Sequence, residues 1–298
     1  MGTVEEAPVV TMSALSPVGG SLTDYLSRAE AVILPRHLSE AAPQDPVDPG
    51  RKLRIGVDLG TAYLVLVVLD EDGTPLAGEW QFAQVVRDGL VVDFVGATDL
   101  LRGMKSRVER RIGRKLTRAG SGYPPGVPRA EARAKAHVIE AAGMDCVDSI
   151  DEPTAANNVL LLREGAIVDV GGGTTGIAVV RGGQVVYTAD EPTGGTHFSL
   201  VVAGALDISF EEAEALKTTA SEQPRLLPLV RPVMEKVASI IVRHVDGRDV
   251  NSIALVGGGS AFFGMADVIG KYTGIETRLP GNPVFVTPIG MALQTLPQ

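Results

Sequence analysis

The chain is poor in residues that mark several classes of protein. Its 298 residues include one cysteine and four histidines. A single cysteine excludes an internal disulfide framework and is typical of a reducing compartment, so we expect a cytoplasmic protein. The histidines show no metal-ligand spacing, which argues against a histidine-based metal site.

Long apolar runs and an excess of basic residues are also missing. The longest apolar run, 63–69, is far too short to span a bilayer, and the N-terminus lacks the pattern of a signal peptide. We therefore expect neither a membrane protein nor a secreted one.

With 27 basic and 36 acidic residues, the formal net charge is −9. Nucleic-acid binding needs a basic surface to neutralise phosphates, so we expect no nucleic-acid partner. The basic segment 102–118 carries apolar residues at helical spacing, which predicts an amphipathic helix with a solvated charged face.

Glycine, by contrast, is abundant, with 35 residues, and two glycine turns organise the chain. In each, an apolar strand ends in an aspartate, Asp58 or Asp169, and a second apolar strand follows the turn. Backbone N–H groups of such turns can surround phosphate oxygens, and the aspartate can hold a hydrated Mg²⁺. The turn residues are Gly60, Thr61 and Ala62 in the first case and Gly171, Gly172, Gly173 and Thr174 in the second. Two matching turns indicate a nucleotide held between two related halves.

Each turn also has a simpler interpretation. Gly171, Gly173 and Gly176 fit the spacing of a dinucleotide fingerprint, but that motif requires a helix to begin at the turn. A β-branched run follows here, so a strand-turn-strand phosphate site is favoured. An isolated aspartate would more simply satisfy its own turn, and only the pairing of Asp58 with Asp169 favours a site.

Residues 1–50 differ from the rest and form a predicted N-terminal extension. Segment 21–34 has an apolar stripe at helical spacing, and Pro35 ends the pattern. The proline-rich stretch 43–49 is typical of an extended linker. Two alternatives remain open for the short helix: its stripe packs on the chain's own core, or it inserts into a groove of a partner protein.

The remaining chain contains the same order of elements twice. Strands predicted at 54–60, 62–70 and 75–86 recur at 165–170, 176–182 and 184–190. Helices are predicted at 97–116, 195–206, 209–217 and 228–244, and a third glycine turn, Gly257, Gly258 and Gly259, follows a strand at 253–256. A last helix begins near Pro288. We expect one domain from 51–164 with 287–298 and a second from 165–286.

In this order, five motifs resemble those of the actin-like ATPase superfamily, which includes actin, sugar kinases, DnaK-type chaperones, FtsA and MreB. They are two phosphate motifs (55–61 and 169–175), two connecting motifs (152–156 and 288–292) and an adenosine motif (256–260). The resemblance implies an α/β, ribonuclease H-like fold with two related domains around a nucleotide cleft, each built on a five-stranded sheet. Within the superfamily the chain most resembles the EutJ family, chaperone-like proteins encoded with ethanolamine-utilisation bacterial microcompartments. Segments 86–97, 151–155, 169–176 and 190–195 carry that resemblance.

The resemblance also implies roles for individual residues. The first turn would bind the β and γ phosphates through backbone N–H groups, and the second would clasp them from the other domain. Asp58 and Asp169 would orient Mg²⁺ through its waters, and Glu152 would position the attacking water. Glu214 and Lys217 would contact ribose and adenine above Gly257, Gly258 and Gly259. Without the resemblance, Glu152 is a helix-start residue, and Glu214 with Lys217 is a surface pair.

Two departures argue against fast hydrolysis. DnaK-type chaperones carry a further aspartate seven positions after Asp169, where this chain has Gly176. Their lysine near the γ phosphate has no clear counterpart, and Arg110 is the substitute that the sequence offers. We therefore expect binding of ATP and Mg²⁺ with slow or absent hydrolysis.

Three functions follow as hypotheses. The first is a chaperone-like, assembly or reactivation factor of the microcompartment, with a shell or enzyme-cargo protein as partner, reached through residues 21–34. The others are a small-molecule kinase and a nucleotide-binding scaffold or filament that does not hydrolyse ATP. The client and the oligomeric state do not follow from the sequence.

Overall fold

The computed structural model describes residues 19–87, 90–126 and 129–298, with only the backbone described at 129–131. A first sheet has the strand order β1-β4-β3-β2-β7-β8. Its strands are β1 (Ile33–Pro35), β2 (Leu53–Leu59), β3 (Tyr63–Asp70), β4 (Pro75–Phe82), β7 (Arg118–Tyr123) and β8 (Asp145–Asp151), and β5 (Val86–Arg87) and β6 (Leu90–Val91) form a separate hairpin. Strands β2, β3 and β4 form an antiparallel meander, whereas β7 is parallel to β2 and β8 is parallel to β7.

The second sheet repeats this plan in the order β11-β10-β9-β12-β13. Its strands are β9 (Gly165–Val170), β10 (Thr175–Arg181), β11 (Gln184–Glu191), β12 (Ser252–Val256) and β13 (Glu276–Arg278). Again an antiparallel meander, β9-β10-β11, is followed by parallel strands. We call the first sheet with its helices the first domain and the second sheet with its helices the second domain.

Ten α-helices surround and separate the two sheets within the described part of the chain. They are α1 (Leu22–Val32), α2 (Arg36–Ala41), α3 (Phe94–Ile112), α4 (Arg129–Ala141), α5 (Glu152–Leu160), α6 (Gly195–Leu206), α7 (Phe210–Thr218), α8 (Gln223–Val245), α9 (Met265–Thr273) and α10 (Val286–Gln294). Among these residues, none of the helices combines the length and the apolar character needed to cross a membrane.

Helices α5 and α10 lie between the two domains. They share one buried apolar cluster with Val65 and Val67 of β3 and with Ala254 and Val256 of β12. At their crossing, a Cβ atom built on Gly290 would lie 1.8 Å from the Ala155 carbonyl oxygen. Only glycine therefore permits this approach, and the two helices form a tight joint between the domains.

Strand β7 is missing from the sequence interpretation because its middle residues, 119–122, are small rather than β-branched. A Cβ atom on Gly120 would lie 2.5 Å from Thr295 Cγ2, and one on Gly122 would lie 2.0 Å from Met291 Cε. Positions 120 and 122 thus lack side chains because α10 and the residue after it pack directly on the backbone there, a tertiary requirement that overrides strand propensity.

The predicted amphipathic helix is α3, and its apolar stripe is buried. It ends at Gly113, whose φ of 66° is the left-handed conformation that favours glycine. The expectation of a wholly solvated charged face is wrong for Arg107, which forms an ion pair with the fully buried Glu79 at 2.6 Å. Arg111 on the same helix donates hydrogen bonds to the Gly78 and Val32 carbonyls.

The N-terminal segment is part of the first domain rather than a tethered extension. Tyr25, Leu26 and Ala29 of α1 are fully buried among residues of both domains. Strand β1 runs parallel to β4, so the first sheet has six strands where five were expected. Residues 43–49 are also fixed, since the Asp45 and Val47 N–H groups donate to the carbonyls of Arg111 and Ile112. The apolar stripe packs on the chain's own core, which removes it as a surface for a partner's groove in this conformation.

Candidate functional site

The first glycine turn joins β2 to β3 at the base of the cleft between the domains. Asp58 lies near the end of β2. The Gly60 N–H donates to the Tyr63 carbonyl at 3.1 Å and closes the turn. A Cβ atom on Gly60 would lie 2.8 Å from that carbonyl oxygen, so the tight closure requires glycine.

The second glycine turn joins β9 to β10 and faces the first. The Gly171 N–H donates to the Thr174 carbonyl at 3.0 Å, and the N–H groups of Gly195 and Thr196 at the start of α6 donate to Gly171 and Gly172. A Cβ atom on Gly172 would lie only 2.8 Å from Ala62 Cβ in the opposite turn. The two turns are therefore in direct contact across the cleft.

One cavity collects the catalytic, phosphate, adenosine and metal residues that the sequence predicts, with the exception of Arg110. Its lining includes Asp58, Gly60, Thr61, Ala62, Glu152, Asp169, Gly171, Gly172, Gly173, Thr174, Glu214, Lys217, Gly257, Gly258 and Gly259. These residues come from β2, β9, α5, α7 and three separate turns, so only the fold brings them together. Their placement is established, and their individual roles stay predictions.

Carboxylates concentrate negative charge at the base of this cavity. Burial raises the pKa of Asp58 to about 7, and the charge of Glu152 adds to the effect. Burial likewise raises the pKa of Asp169 to about 7, with Glu152 next in importance. A hydrogen bond of 2.8 Å from the Thr287 hydroxyl opposes the rise at Asp169. Because a nearby cation would favour the ionised carboxylates, the site fits a divalent cation electrostatically.

Two of these carboxylates, Asp58 and Asp169, line the cavity together. Within the described ranges, no three His, Cys, Asp or Glu side chains are close enough together to hold a metal ion directly. Mg²⁺ is commonly bound by one or two carboxylates together with phosphates and water. Asp58 and Asp169, one from each domain, could provide such an arrangement.

Lys135 is a cavity residue that the sequence interpretation missed. It comes from α4, its side chain is 3% exposed, and its Nζ lies 3.3 Å from Glu152 Oε1. Arg110, the predicted substitute for a phosphate-binding lysine, instead lines an exposed depression with Ser106 and Arg114. The expectation for Arg110 is therefore wrong, and Lys135 is a cation that lines the same cavity as the phosphate turns.

Asp190 is a second residue that was missed. Gly176 stands at the position compared above with a further aspartate of DnaK-type chaperones, and it pairs with Asp169 on one side and Asp190 on the other. A Cβ atom on Gly176 would lie 3.7 Å from Asp190 Oδ1. Burial raises the pKa of Asp190 to about 6, although a hydrogen bond from Thr174 opposes the rise. The Asp190 carboxylate, which comes from the neighbouring strand, therefore lies next to the space that a side chain at position 176 would occupy.

Glu214 and Lys217 are buried rather than forming a surface pair. Lys217 Nζ donates to Glu214 Oε2 at 2.6 Å and to the Gly195 carbonyl at 3.2 Å. The Ser199 hydroxyl donates to Glu214 Oε2 at 2.5 Å, and the Tyr63 hydroxyl donates to Glu214 Oε1 at 3.1 Å. Burial lowers the pKa of Lys217, and Glu214 opposes that change. The Tyr63 contact links the first domain to the second at this end of the cleft.

Beyond this pair lies a second cavity with aromatic walls. It shares Lys217, Gly258 and Gly259 with the first cavity. Its aromatic lining consists of Tyr63, Trp80, Phe198, Phe262 and Phe285. The cleft therefore has a polar end with glycine turns and carboxylates, and an adjoining end with aromatic rings.

Two family models match parts of the chain. Residues 76–204 match MreB/Mbl protein, and residues 166–290 match cell division protein FtsA. A structure of MreB 5 of Spiroplasma citri bound to AMPPNP is similar with a TM-score of 0.65 at 17% identity, over 81% of this chain and 95% of that one. These likenesses confirm the predicted actin-like ATPase fold.

Two more similar proteins cover most of the chain. The ethanolamine utilization protein EutJ of Escherichia coli is 41% identical over 250 residues, which span 84% of this chain and 88% of that protein. The crystal structure of ethanolamine utilization protein EutJ from Carboxydothermus hydrogenoformans has a TM-score of 0.85 at 41% identity, over 92% of this chain and 98% of that one. Together, the sequence and the fold place the chain in a single family. It belongs to the EutJ family of ethanolamine utilization proteins.

Proposed function

We propose that the chain binds ATP with Mg²⁺ between its domains, and that closure on the nucleotide changes the surface offered to a partner protein of ethanolamine utilization. The observation that carries the proposal is the contact between the two glycine turns, at Ala62 and Gly172, beside Asp58 and Asp169. Turns that face each other from separate domains can both donate backbone N–H groups to one phosphate chain.

The nucleotide's phosphates would lie along the two turns. Thr61 and Ala62 would donate N–H groups from the first domain, and Gly173 and Thr174 from the second. A bound Mg²⁺ would supply charge neutralisation for the phosphate oxygens. Lys135 would add a positive charge at the same place, because its buried ammonium lines the cavity and pairs with Glu152.

Slow hydrolysis is part of the proposal. Glu152 is the residue positioned to orient a water molecule, yet its carboxylate is paired with Lys135 at 3.3 Å. That ion pair occupies one oxygen of the carboxylate, so Lys135 competes with the water molecule that Glu152 would orient. The protein would therefore remain closed on ATP for long periods and act through its conformation.

The partner would be a shell or enzyme-cargo protein of a bacterial microcompartment, which the protein would help to assemble or reactivate in a chaperone-like way. The names of the similar EutJ proteins support a role in ethanolamine utilization. The buried stripe of α1 does not support attachment through residues 21–34, so we place the partner surface on parts of the domains that move apart when the cleft opens.

Calorimetric titration with Mg-ATP tests the site directly. The unmodified protein should show saturable binding, and a variant with Asp58→Asn and Asp169→Asn should lose it. Asp72→Asn, in an exposed turn, is the matched control and should bind normally. Phosphate release in the same samples separates a slow ATPase from a clamp without turnover. If millimolar nucleotide gave no binding heat, or if the double variant bound as well as its parent, the proposed site would be wrong.

A further inference from the structure

Besides its aromatic rings, the aromatic cavity is lined by residues of the N-terminal segment. Glu30 of α1 and Ile33 and Pro35 of β1 line it together with the aromatic rings. The N-terminal segment therefore lies at the end of the cleft that continues from Lys217 and Gly258, where a nucleoside joined to phosphates in the turns would extend.

On one side this segment is fastened to the first domain. The Tyr25 hydroxyl donates to the Gly73 carbonyl at 2.8 Å. Strand β1 pairs with β4, with Ile33 opposite Gly78 and Pro35 opposite Trp80. These are directional hydrogen bonds, so the segment should move as one body with the first domain.

On its other side the segment reaches the second domain. A Cβ atom on Gly281 would lie 3.4 Å from Leu26 Cβ and 3.7 Å from the Thr23 carbonyl oxygen. This approach is an ordinary packing contact, which can separate at lower cost than a strand pairing. When the cleft opens, the packing contacts of α1 with the second domain, including the one at Gly281, are thus the ones expected to part.

We propose that residues 22–35 form a strap that closes the nucleoside end of the cleft and forms part of the binding site for the base. This inference rests on the proposed function, since it requires phosphates in the glycine turns. The ligand class is a nucleoside triphosphate, whose flat aromatic base packs against the partly exposed rings of Tyr63 and Trp80. The strap must separate from Gly281 before the nucleotide can enter or leave.

The base-binding part can be tested with the chain's own fluorescence. Trp80 is the single tryptophan, and it lies in the aromatic cavity. Titration with Mg-ATP should change its emission, whereas Mg-tripolyphosphate, which has no base, should bind by calorimetry and leave the emission nearly unchanged. Equal changes for both ligands, or calorimetric ATP binding without any emission change, would overturn the inference alone. If neither ligand showed binding by calorimetry, the proposed function and the inference would both be overturned.

The strap movement can be tested with a reversible crosslink. Cys146 is replaced by serine, and Leu26→Cys is combined with Gly281→Cys, because the distance of 3.4 Å between Cβ positions is close to the usual disulfide range of about 3.5–4.5 Å. With the disulfide formed, radiolabelled ATP should dissociate at least tenfold more slowly than from the same protein after reduction. The single variant Leu26→Cys should show no such difference. Equal dissociation rates before and after reduction, with the disulfide verified by mass spectrometry, would show that the strap does not gate the cleft.

Discussion

Replacing Gly290 with alanine should weaken the joint between the two domains. The new methyl carbon would lie 1.8 Å from the Ala155 carbonyl oxygen, whereas real Cβ atoms essentially never approach within 3.0 Å. Helices α5 and α10 must therefore separate by more than 1 Å (from 1.8 Å to at least 3.0 Å). Overpacking typically costs about 1–3 kcal/mol and occasionally more, while alanine returns about 1 kcal/mol of helix propensity. Because the clash is with backbone, we expect a net loss of about 2 kcal/mol or more.

This loss should appear as a lower melting temperature. For a domain of more than about 150 residues, a loss of about 2 kcal/mol corresponds to a fall in Tm of roughly 4–8 °C. Gly204→Ala is the matched control, because Gly204 is also helical but, apart from its chain neighbours and the backbone of its own helix, no described atom lies within 4 Å of a Cβ placed there. Its helix should gain about 0.8–1 kcal/mol. If both substitutions raised the Tm by similar amounts, the tight joint between α5 and α10 would be refuted.

Three further predictions concern buried charges. Burial raises the pKa of Asp190 from its usual 3.8 to about 6, so the folded state binds more protons than the unfolded chain between these values and stability falls as the pH rises through that range. Asp190→Asn should therefore raise the Tm of the nucleotide-free protein more at about pH 7.5 than at about pH 5. Arg107→Met leaves the buried Glu79 without its ion-pair partner and should cost about 3–5 kcal/mol. Lys135→Met should weaken Mg-ATP binding at least tenfold, or about 1.4 kcal/mol, whereas the exposed Lys271→Met should not.

Each of these predictions has a contradicting result. An equal Tm gain for Asp190→Asn at both pH values would mean that the carboxyl is not perturbed in the folded state. Glu79→Gln added to Arg107→Met should recover most of the lost stability in denaturant unfolding, and no recovery would place the damage in packing rather than charge. Unchanged calorimetric affinity for Lys135→Met would remove the lysine from the phosphate site.

The phosphate turns could be predicted from the sequence because their chemistry is local. Asp58 and Gly60 are two residues apart, and an apolar strand on each side fixes a strand-turn-strand unit without reference to the rest of the chain. The same holds for Asp169 and its glycines. Five such local motifs in order were enough to predict the fold class, which the similar structures confirm.

Lys135 could not be found in this way, because nothing near it in sequence distinguishes it from a surface lysine. It lies in a helix where charged residues alternate with alanine, and only the path of α4 brings it to Glu152. Asp190 was missed for a related reason. It lies near Asp169 only because both residues pair with Gly176, which stands on the strand between them. The docking of α1 likewise depends on contacts with residues far along the chain, such as Gly73 and Gly281. Local patterns predicted that the helix exists, and tertiary packing determined where it lies.

The short strand β1 covers part of the outer side of β4. Without Ile33–Pro35, the outer side of β4 would present unpaired N–H and C=O groups, which is a template for pairing with another chain. Pro35 ends the added strand with a residue that has no N–H to offer a further strand. A shortened chain that begins after residue 41 should therefore aggregate through β4. Its poor solubility would be a property of the uncovered sheet and would reveal nothing about nucleotide binding.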